Sequence, residues 1–99
     1  PRQALWMATA GGARCLGRST DLGSLEVGKL ADLAMWRLDG LAHAGIDDPV
    51  AALVLGTAAP LELLLVGGRP VVEDDRLTTA DDRQLATDLA AAHRKLVDG

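Results

Sequence analysis

The most informative part of this chain is residues 21–33, which read Asp21-Leu22-Gly23-Ser24-Leu25-Glu26-Val27-Gly28-Lys29-Leu30-Ala31-Asp32-Leu33. They join a tight turn bounded by glycines to the start of an apolar segment. Gly23 and Gly28 are expected to meet backbone requirements of the turn, because glycine adopts positive φ without steric cost. No strand–loop–helix order surrounds them, so they do not indicate a phosphate-binding loop. The apolar run after the turn predicts a strand from Asp32 to Leu38, covered on both faces.

Two short helices are predicted before this turn, Arg2 to Thr9 and Gly12 to Leu16. Small and apolar residues recur there at positions 5, 8, 12 and 16, which is helical spacing. Inside a continuous helix, Gly11 and Gly12 would each cost about 1 kcal/mol relative to alanine. We therefore expect a break or a close contact at this pair, and a left-handed helix stop at Gly17.

The second half of the chain predicts a short helix, a sheet and a closing helix. The short helix runs from Pro49 to Leu55. Strands from Leu61 to Val66 and from Pro70 to Glu73 flank Gly67 and Gly68, a pair suited to a type I′ hairpin. Asp74-Asp75 forms a second turn, after which Arg76-Leu77 completes a strand. Thr79 and Asp82 make a cap-like start for an amphipathic helix from Asp81 to Val97, with apolar residues at positions 85, 89, 92 and 96.

Composition narrows the class of protein. Hydrophobic residues make up 48% of the 99 residues, with two Trp, no Phe and no Tyr. This is a surplus of small apolar side chains, which suits elements packed against something larger. A net charge of −4 without a basic cluster argues against nucleic acid as a partner. No apolar run approaches a membrane span, and the single cysteine gives no sign of secretion, so we expect a cytoplasmic protein without a membrane partner.

The residues that most resemble catalytic groups each have a plainer interpretation. His43, in the irregular loop, is a weak candidate for the border of a substrate pocket or for a subunit contact, and an exposed loop histidine is the favoured interpretation. His93 is expected to interact with the dipole at the end of the last helix. Cys15 is interpreted as a small buried hydrophobic residue rather than a nucleophile.

Acidic residues in the loops are interpreted in the same way. Asp47 and Asp48 precede a proline, which is typical of turn formers rather than of a catalytic carboxylate pair. Glu26 and Lys29 are expected to form a solvated pair that contributes little to stability.

Two segments of the chain together resemble the C-terminal signature of the amidohydrolase superfamily. They are Ala8-Thr9-Ala10-Gly11-Gly12-Ala13-Arg14-Cys15-Leu16-Gly17-Arg18 and Gly23-Ser24-Leu25-Glu26-Val27-Gly28-Lys29-Leu30-Ala31-Asp32-Leu33. In that family the signature runs Ala-Thr-x-x-Gly-Ala-x-x-Leu-Gly and then Gly-Ser-x-x-x-Gly-Lys-x-Ala-Asp-Leu. The hairpin is similar to the family's Val-x-Val-Asn-Gly-x-x-Val strand pair, with Gly67 in place of the usual Asn. Residues 45–54 and the last helix look most like deaminases of 8-oxoguanine and hydroxyatrazine-type aminohydrolases.

The resemblance implies a two-part architecture. Members combine a TIM-like barrel with a small β-sandwich built from both ends of the chain. The expected fold class is therefore an α/β fragment. Residues 1–18 would be the last helix region of the barrel, residues 19–80 the C-terminal part of the sandwich with an inserted loop, and residues 81–99 a C-terminal amphipathic helix. A half-sandwich leaves an open face, which accounts for the apolar surplus.

The resemblance also implies a chemistry. Members hold a divalent metal such as zinc with a His-x-His pair, two further histidines and an aspartate, and the metal lowers the pKa of bound water towards about 7. The hydroxide attacks a ring carbon that carries an amino group, and ammonia leaves. None of these ligands maps onto this chain, whose only histidines are His43 and His93. We expect them upstream of Pro1, and we predict no catalytic, cofactor or metal residue and no activity for this chain alone.

Three hypotheses follow. The first is the C-terminal segment of a metal-dependent aminohydrolase that acts on a purine- or triazine-like ring. Its partners would be the remainder of its own barrel domain and a small heterocyclic substrate, and a homo-oligomer is compatible with it. The second is another amidohydrolase, namely a cyclic amidase, an imidazolonepropionase or an N-acyl-amino-acid deacylase. The third is a free-standing β-rich module that binds a partner through its apolar face.

Overall fold

Two short helices open the chain and meet at Thr9. The computed structural model describes residues 1–99, and it places α1 at Arg2–Ala8 and α2 at Ala10–Cys15. The break therefore lies at Thr9, whose φ of −116° and ψ of −93° are not helical, and not at the glycine pair. The predicted close contact is confirmed at Gly11, where a Cβ would lie 2.8 Å from Cζ3 of Trp6.

A turn without helix or strand leads from α2 to the sheet. Gly17 has a φ of +71° and provides the predicted left-handed stop. Gly23 and Gly28 have φ values of +95° and +93°, so the predicted backbone requirement is confirmed. At Gly23 space adds a second requirement, since a Cβ would lie 2.7 Å from the Cβ of Ala13. The turn is therefore folded back onto α2.

Four antiparallel strands form one sheet in the order β1-β2-β3-β4. They are β1 Leu33–Trp36, β2 Leu61–Val66, β3 Arg69–Glu73 and β4 Arg76–Leu77. β1 is shorter than the predicted 32–38, and its register with β2 shifts between Met35 and Trp36. It is also less covered than predicted, since only Leu33 is half-buried and the rest of β1 is exposed.

Both predicted turns of the sheet are present. Gly67 and Gly68 have φ values of +58° and +78°, as a type I′ turn between β2 and β3 requires. Between β3 and β4, Asp74 and Asp75 also adopt positive φ, at 53° and 61°. The carboxylate Oδ1 of Asp75 accepts a hydrogen bond from the Leu61 N–H at 3.0 Å, which holds this second turn against the start of β2.

Two further helices complete the fold. α3 occupies Pro49–Leu55 as predicted, and a single 3-10 turn, Leu41–His43, precedes it. α4 occupies Asp82–Asp98. Its cap is neither Thr79 nor Asp82 but Asp81, whose Oδ1 accepts hydrogen bonds from Arg83 N and Gln84 N at 2.9 and 3.3 Å. None of these helices combines the length and the apolar character that a membrane-spanning segment requires.

The chain has almost no core of its own. Only four residues are buried, and the hydrophobic ones among them are Ala13 and Ala52. Larger apolar side chains lie at the surface, including Trp6 at 51% exposure. The apolar surplus seen in the composition is therefore spread over faces that no other part of these 99 residues covers.

Candidate functional site

An apolar groove lies between the helix pair α1–α2 and the edge of the sheet. Its volume is about 910 Å³. Small residues line it on the helix side, namely Ala8, Gly12 and Ala13. Larger apolar side chains line it elsewhere, namely Leu25 in the turn, Leu33 and Trp36 on β1, and Leu53 on α3. The groove therefore suits a large apolar occupant rather than a small polar ligand.

Cys15 lines this groove from the end of α2. The sequence predicted a small buried hydrophobic residue, and this prediction is wrong for the present chain, where Cys15 is exposed. The helix turns Cys15 towards the apolar groove. No second element of the chain packs over that surface, and the thiol therefore stays accessible.

Lys29 organises the turn between α2 and β1. Its Nζ donates to Ser24 Oγ at 2.7 Å and to Leu22 O at 3.3 Å, and lies 3.0 Å from Glu26 Oε2. The Lys29 side chain is only 15% exposed, so the predicted solvated pair is wrong on the lysine side. Hydrogen bonds first from Ser24 and then from Lys29 hold the pKa of Glu26 below its ordinary 4.5.

Arg18 and Asp21 form a second ion pair at the entrance of the same turn. Arg18 Nη2 donates to Asp21 Oδ2 at 2.6 Å. This hydrogen bond lowers the pKa of Asp21 from its ordinary 3.8, and Asp21 in turn raises the pKa of Arg18. Both groups are therefore held in their charged forms, and their partners belong to the turn itself.

Asp32 joins the end of the turn to the β2–β3 hairpin. Its Oδ1 accepts a hydrogen bond from the Gly67 N–H at 2.6 Å. The next N–H of the hairpin turn, that of Gly68, donates to the Ala31 carbonyl at 2.9 Å. Sequence reasoning missed this role of Asp32, because the partners lie 35 residues apart and no local pattern predicts such a contact.

His43 is buried, at 3% exposure, so its interpretation as an exposed loop histidine is wrong. Its Nε2 lies 2.8 Å from the carbonyl oxygen of Thr57, and Gly56 lies against the ring, since a Cβ there would be 3.3 Å from His43 Cδ2. The ring thus ties the 3-10 turn to the end of α3. His43 does not line the groove, and its role at a substrate pocket or subunit contact stays a prediction.

The other candidates do not converge on a centre. His93 lies exposed on α4. Asp48 caps α3 by accepting from Val50 N at 3.0 Å, which confirms its interpretation as a turn former. No group of three or more His, Cys, Asp or Glu side chains is arranged to hold a metal ion. The residues of this chain therefore do not fit a catalytic metal centre.

The structure resembles solved hydrolases over nearly its whole length. The zinc complex of atrazine chlorohydrolase TrzN from Arthrobacter aurescens TC1 matches 91% of this chain with a TM-score of 0.82 and 42% identity. The match covers only 20% of that enzyme. The helix pair, the turn and the four-stranded sheet thus define a segment that recurs within a larger hydrolase fold.

Sequence comparison gives the same class. The Amidohydrolase family model matches residues 1–71, so the chain belongs to the amidohydrolase family, and the resemblance of its two motifs is confirmed. The 8-oxoguanine deaminase of Pseudomonas aeruginosa is 42% identical over 99 residues, all of this chain and 22% of that protein. Hydroxydechloroatrazine ethylaminohydrolase of Pseudomonas sp. (strain ADP) is 31% identical over 101 residues, again all of this chain and 21% of that protein. The chain spans about a fifth of the length of these relatives.

Proposed function

We propose that this chain is the C-terminal structural segment of a metal-dependent hydrolase that acts on non-peptide C–N bonds. The favoured reaction is removal of an amino group from a purine- or triazine-like ring. The observation that carries this proposal is the alignment of the whole chain with 22% of an 8-oxoguanine deaminase at 42% identity.

The proposed role of the segment is to complete the folded enzyme rather than to perform the reaction. Its charged groups are used within the chain, as Lys29, Asp21 and Asp32 illustrate through the turn and hairpin contacts that they make. Zinc or another divalent metal would be bound by residues outside these 99. This chain would supply α1 and α2 to the barrel region and the four strands to a composite sandwich.

The partner of the apolar groove, in this proposal, is the remainder of the same polypeptide. The groove is too large and too apolar to be left in water, and its small-residue side lets another backbone approach closely. Residues 1–18, 19–80 and 81–99 would then be parts of one larger enzyme and not a free-standing module.

An activity assay on the complete polypeptide tests the proposal. With zinc supplied, we expect release of ammonia or a small amine from 8-oxoguanine or hydroxyatrazine within a panel of aminated heterocycles. Residues 1–99 alone are the control, and should release none and bind no stoichiometric zinc. Ring opening of cyclic amides without amine release would favour a cyclic amidase or imidazolonepropionase, and inactivity across both panels would count against a hydrolase.

A further inference from the structure

Residues 22–29 form a turn with few backbone contacts among its own residues. One backbone hydrogen bond joins two of them, from Lys29 N to Glu26 O at 3.2 Å. The side chains of Leu25 and Val27 are exposed, so apolar packing within the chain does not hold the turn either. The polar side-chain contacts that remain converge on one atom, Nζ of Lys29.

Three oxygens surround this Nζ, and we call them the oxygen ring: Ser24 Oγ at 2.7 Å, Glu26 Oε2 at 3.0 Å and the Leu22 carbonyl oxygen at 3.3 Å. An ammonium group has three N–H donors and no acceptor. The Ser24 hydroxyl can therefore only accept from Lys29, and it donates its own proton to Glu26 Oε2 at 2.6 Å. Every hydrogen-bond direction in the ring is thus set by the cation at its centre.

We propose that the oxygen ring is a binding site for a primary ammonium group, which Lys29 fills from within the chain. The number of acceptors equals the number of N–H donors, and one acceptor is a carboxylate that matches the positive charge. The methylene stem of Lys29 acts as a tether that gives its own ammonium a high effective concentration at the ring. A free primary alkylammonium ion should therefore occupy the same ring when the Lys29 side chain is truncated.

The oxygen ring also sets the position of one wall of the apolar groove. Residues 22–25 line that groove, and two of them supply acceptors to the ring. The ammonium therefore holds this wall in place from behind. At the base of the turn, the Leu30 N–H donates to the Asp21 carbonyl at 2.9 Å. Loss of the cation should let the turn open, and the amides of Lys29 and Leu30 should report that opening.

Hydrogen exchange of the complete polypeptide that carries residues 1–99 tests the proposal, with the peptide containing residues 22–30 as the reporter. In Lys29→Ala this peptide should exchange at least about tenfold faster, because the oxygen ring loses its donor. Propylammonium chloride reproduces the atoms that this substitution removes, and it should bring the rate back to within about threefold of the original. Lys95→Ala is the matched control, since Lys95 is the chain's other lysine and lies exposed on α4. It should change neither the exchange of this peptide nor its response to propylammonium.

Several results would overturn the proposal. If potassium chloride or tetramethylammonium chloride slows exchange in Lys29→Ala as much as propylammonium chloride does, the turn responds to salt or charge and not to N–H donors. If 1-propanol does so, or if Lys29→Met exchanges like the original protein, the apolar stem holds the turn and the ammonium does not. Where Lys29→Ala is recovered only unfolded, the yield of refolded protein in each additive gives the same comparison. None of these measurements involves catalysis, so they stand or fall separately from the proposed function.

Discussion

Asp32 and Gly67 are joined by a hydrogen bond of 2.6 Å from the Gly67 N–H to the Asp32 carboxylate, across 35 residues of chain. The bond fastens the β2–β3 hairpin to the turn that precedes β1. The Gly68 N–H also donates to the neighbouring Ala31 carbonyl, so the end of the turn supports the hairpin through two hydrogen bonds. The motif that marks the family is thus a structural fastening between two distant segments.

Removing the Asp32 carboxylate should loosen the hairpin. Asp32→Ala leaves the Gly67 N–H to water and is expected to cost about 1 kcal/mol of unfolding free energy, as for a typical hydrogen bond. Hydrogen exchange of the peptide containing residues 66–69, followed by mass spectrometry, should become faster. Asp47→Ala is the control, because the Asp47 carboxylate forms no ion pair or hydrogen bond in this structure. Unchanged exchange in Asp32→Ala would show that Asp32 does not fasten the hairpin.

Position 67 should accept asparagine but not a β-branched residue. Asn tolerates the left-handed conformation that Gly67 adopts, and nothing lies within 4 Å of a Cβ there. Gly67→Asn is therefore expected to leave the thermal midpoint within about 2 °C, whereas Gly67→Val should destabilise by about 1–2 kcal/mol. Thermal unfolding followed by circular dichroism separates the two variants. Equal midpoints would mean that the turn does not need positive φ.

The two histidines should respond differently to truncation. His43→Ala removes a buried ring and leaves the Thr57 carbonyl without its partner, at a cost of about 2 kcal/mol. His93→Ala, on the exposed surface of α4, should change stability by less than about 0.5 kcal/mol. Urea unfolding of the two variants provides the comparison. If His93→Ala lowers the free energy of unfolding as much as His43→Ala does, His43 is not the more buried of the two histidines.

Cys15 should report whether the groove is filled. In residues 1–99 alone the thiol is exposed and should react with a thiol reagent as fast as a free peptide cysteine. In the complete native polypeptide, the proposed occupant of the groove should slow the labelling of Cys15 by at least about tenfold. Peptide mapping locates the label, and urea-unfolded protein gives the unprotected rate. Equal rates in native and unfolded protein would mean that the groove stays open.

Acid should weaken the turn between α2 and β1. The pKa values of Asp21 and Glu26 are lowered from their ordinary 3.8 and 4.5 by their hydrogen bonds. Their contribution is therefore present above those ordinary values and is lost as the pH falls through the lower folded values. The thermal midpoint should fall below about pH 4, and less steeply in Glu26→Gln. If the thermal midpoint of Glu26→Gln falls with pH as steeply as that of the original protein, Glu26 does not contribute to the loss of stability in acid.

Local chemistry explains which parts of the fold could be predicted from the sequence. Gly67-Gly68 and Asp48-Pro49 each carry their own conformational signal, so the hairpin and the start of α3 were predictable to within a residue. The break between α1 and α2 was misplaced because Gly11 is required by its contact with Trp6. Composition does not distinguish a glycine that breaks a helix from one that accommodates an aromatic ring.

Burial was harder to predict than secondary structure. The environments of His43 and Cys15 depend on which distant segments cover them, and helical or loop position alone does not determine this. His43 is enclosed by the end of α3, through Gly56 and Thr57. Cys15 lines the apolar groove, and no other part of these 99 residues covers that groove. The hydrogen bond between Asp32 and Gly67 was not predicted for the same reason, because Gly67 lies in the distant β2–β3 turn.

The second hairpin shows that two identical neighbours need not be interchangeable. Asp74 and Asp75 share the left-handed backbone, but only the Asp75 carboxylate holds an N–H of another strand. The Asp74 side chain has no hydrogen-bond partner, so its replacement loses no contact. Gly or Asn at position 74 would also adopt the positive φ with less strain. Any substitution of Asp75 by a residue without a side-chain acceptor would lose the hydrogen bond to Leu61 N. We therefore expect substitutions to be tolerated at position 74 and not at position 75.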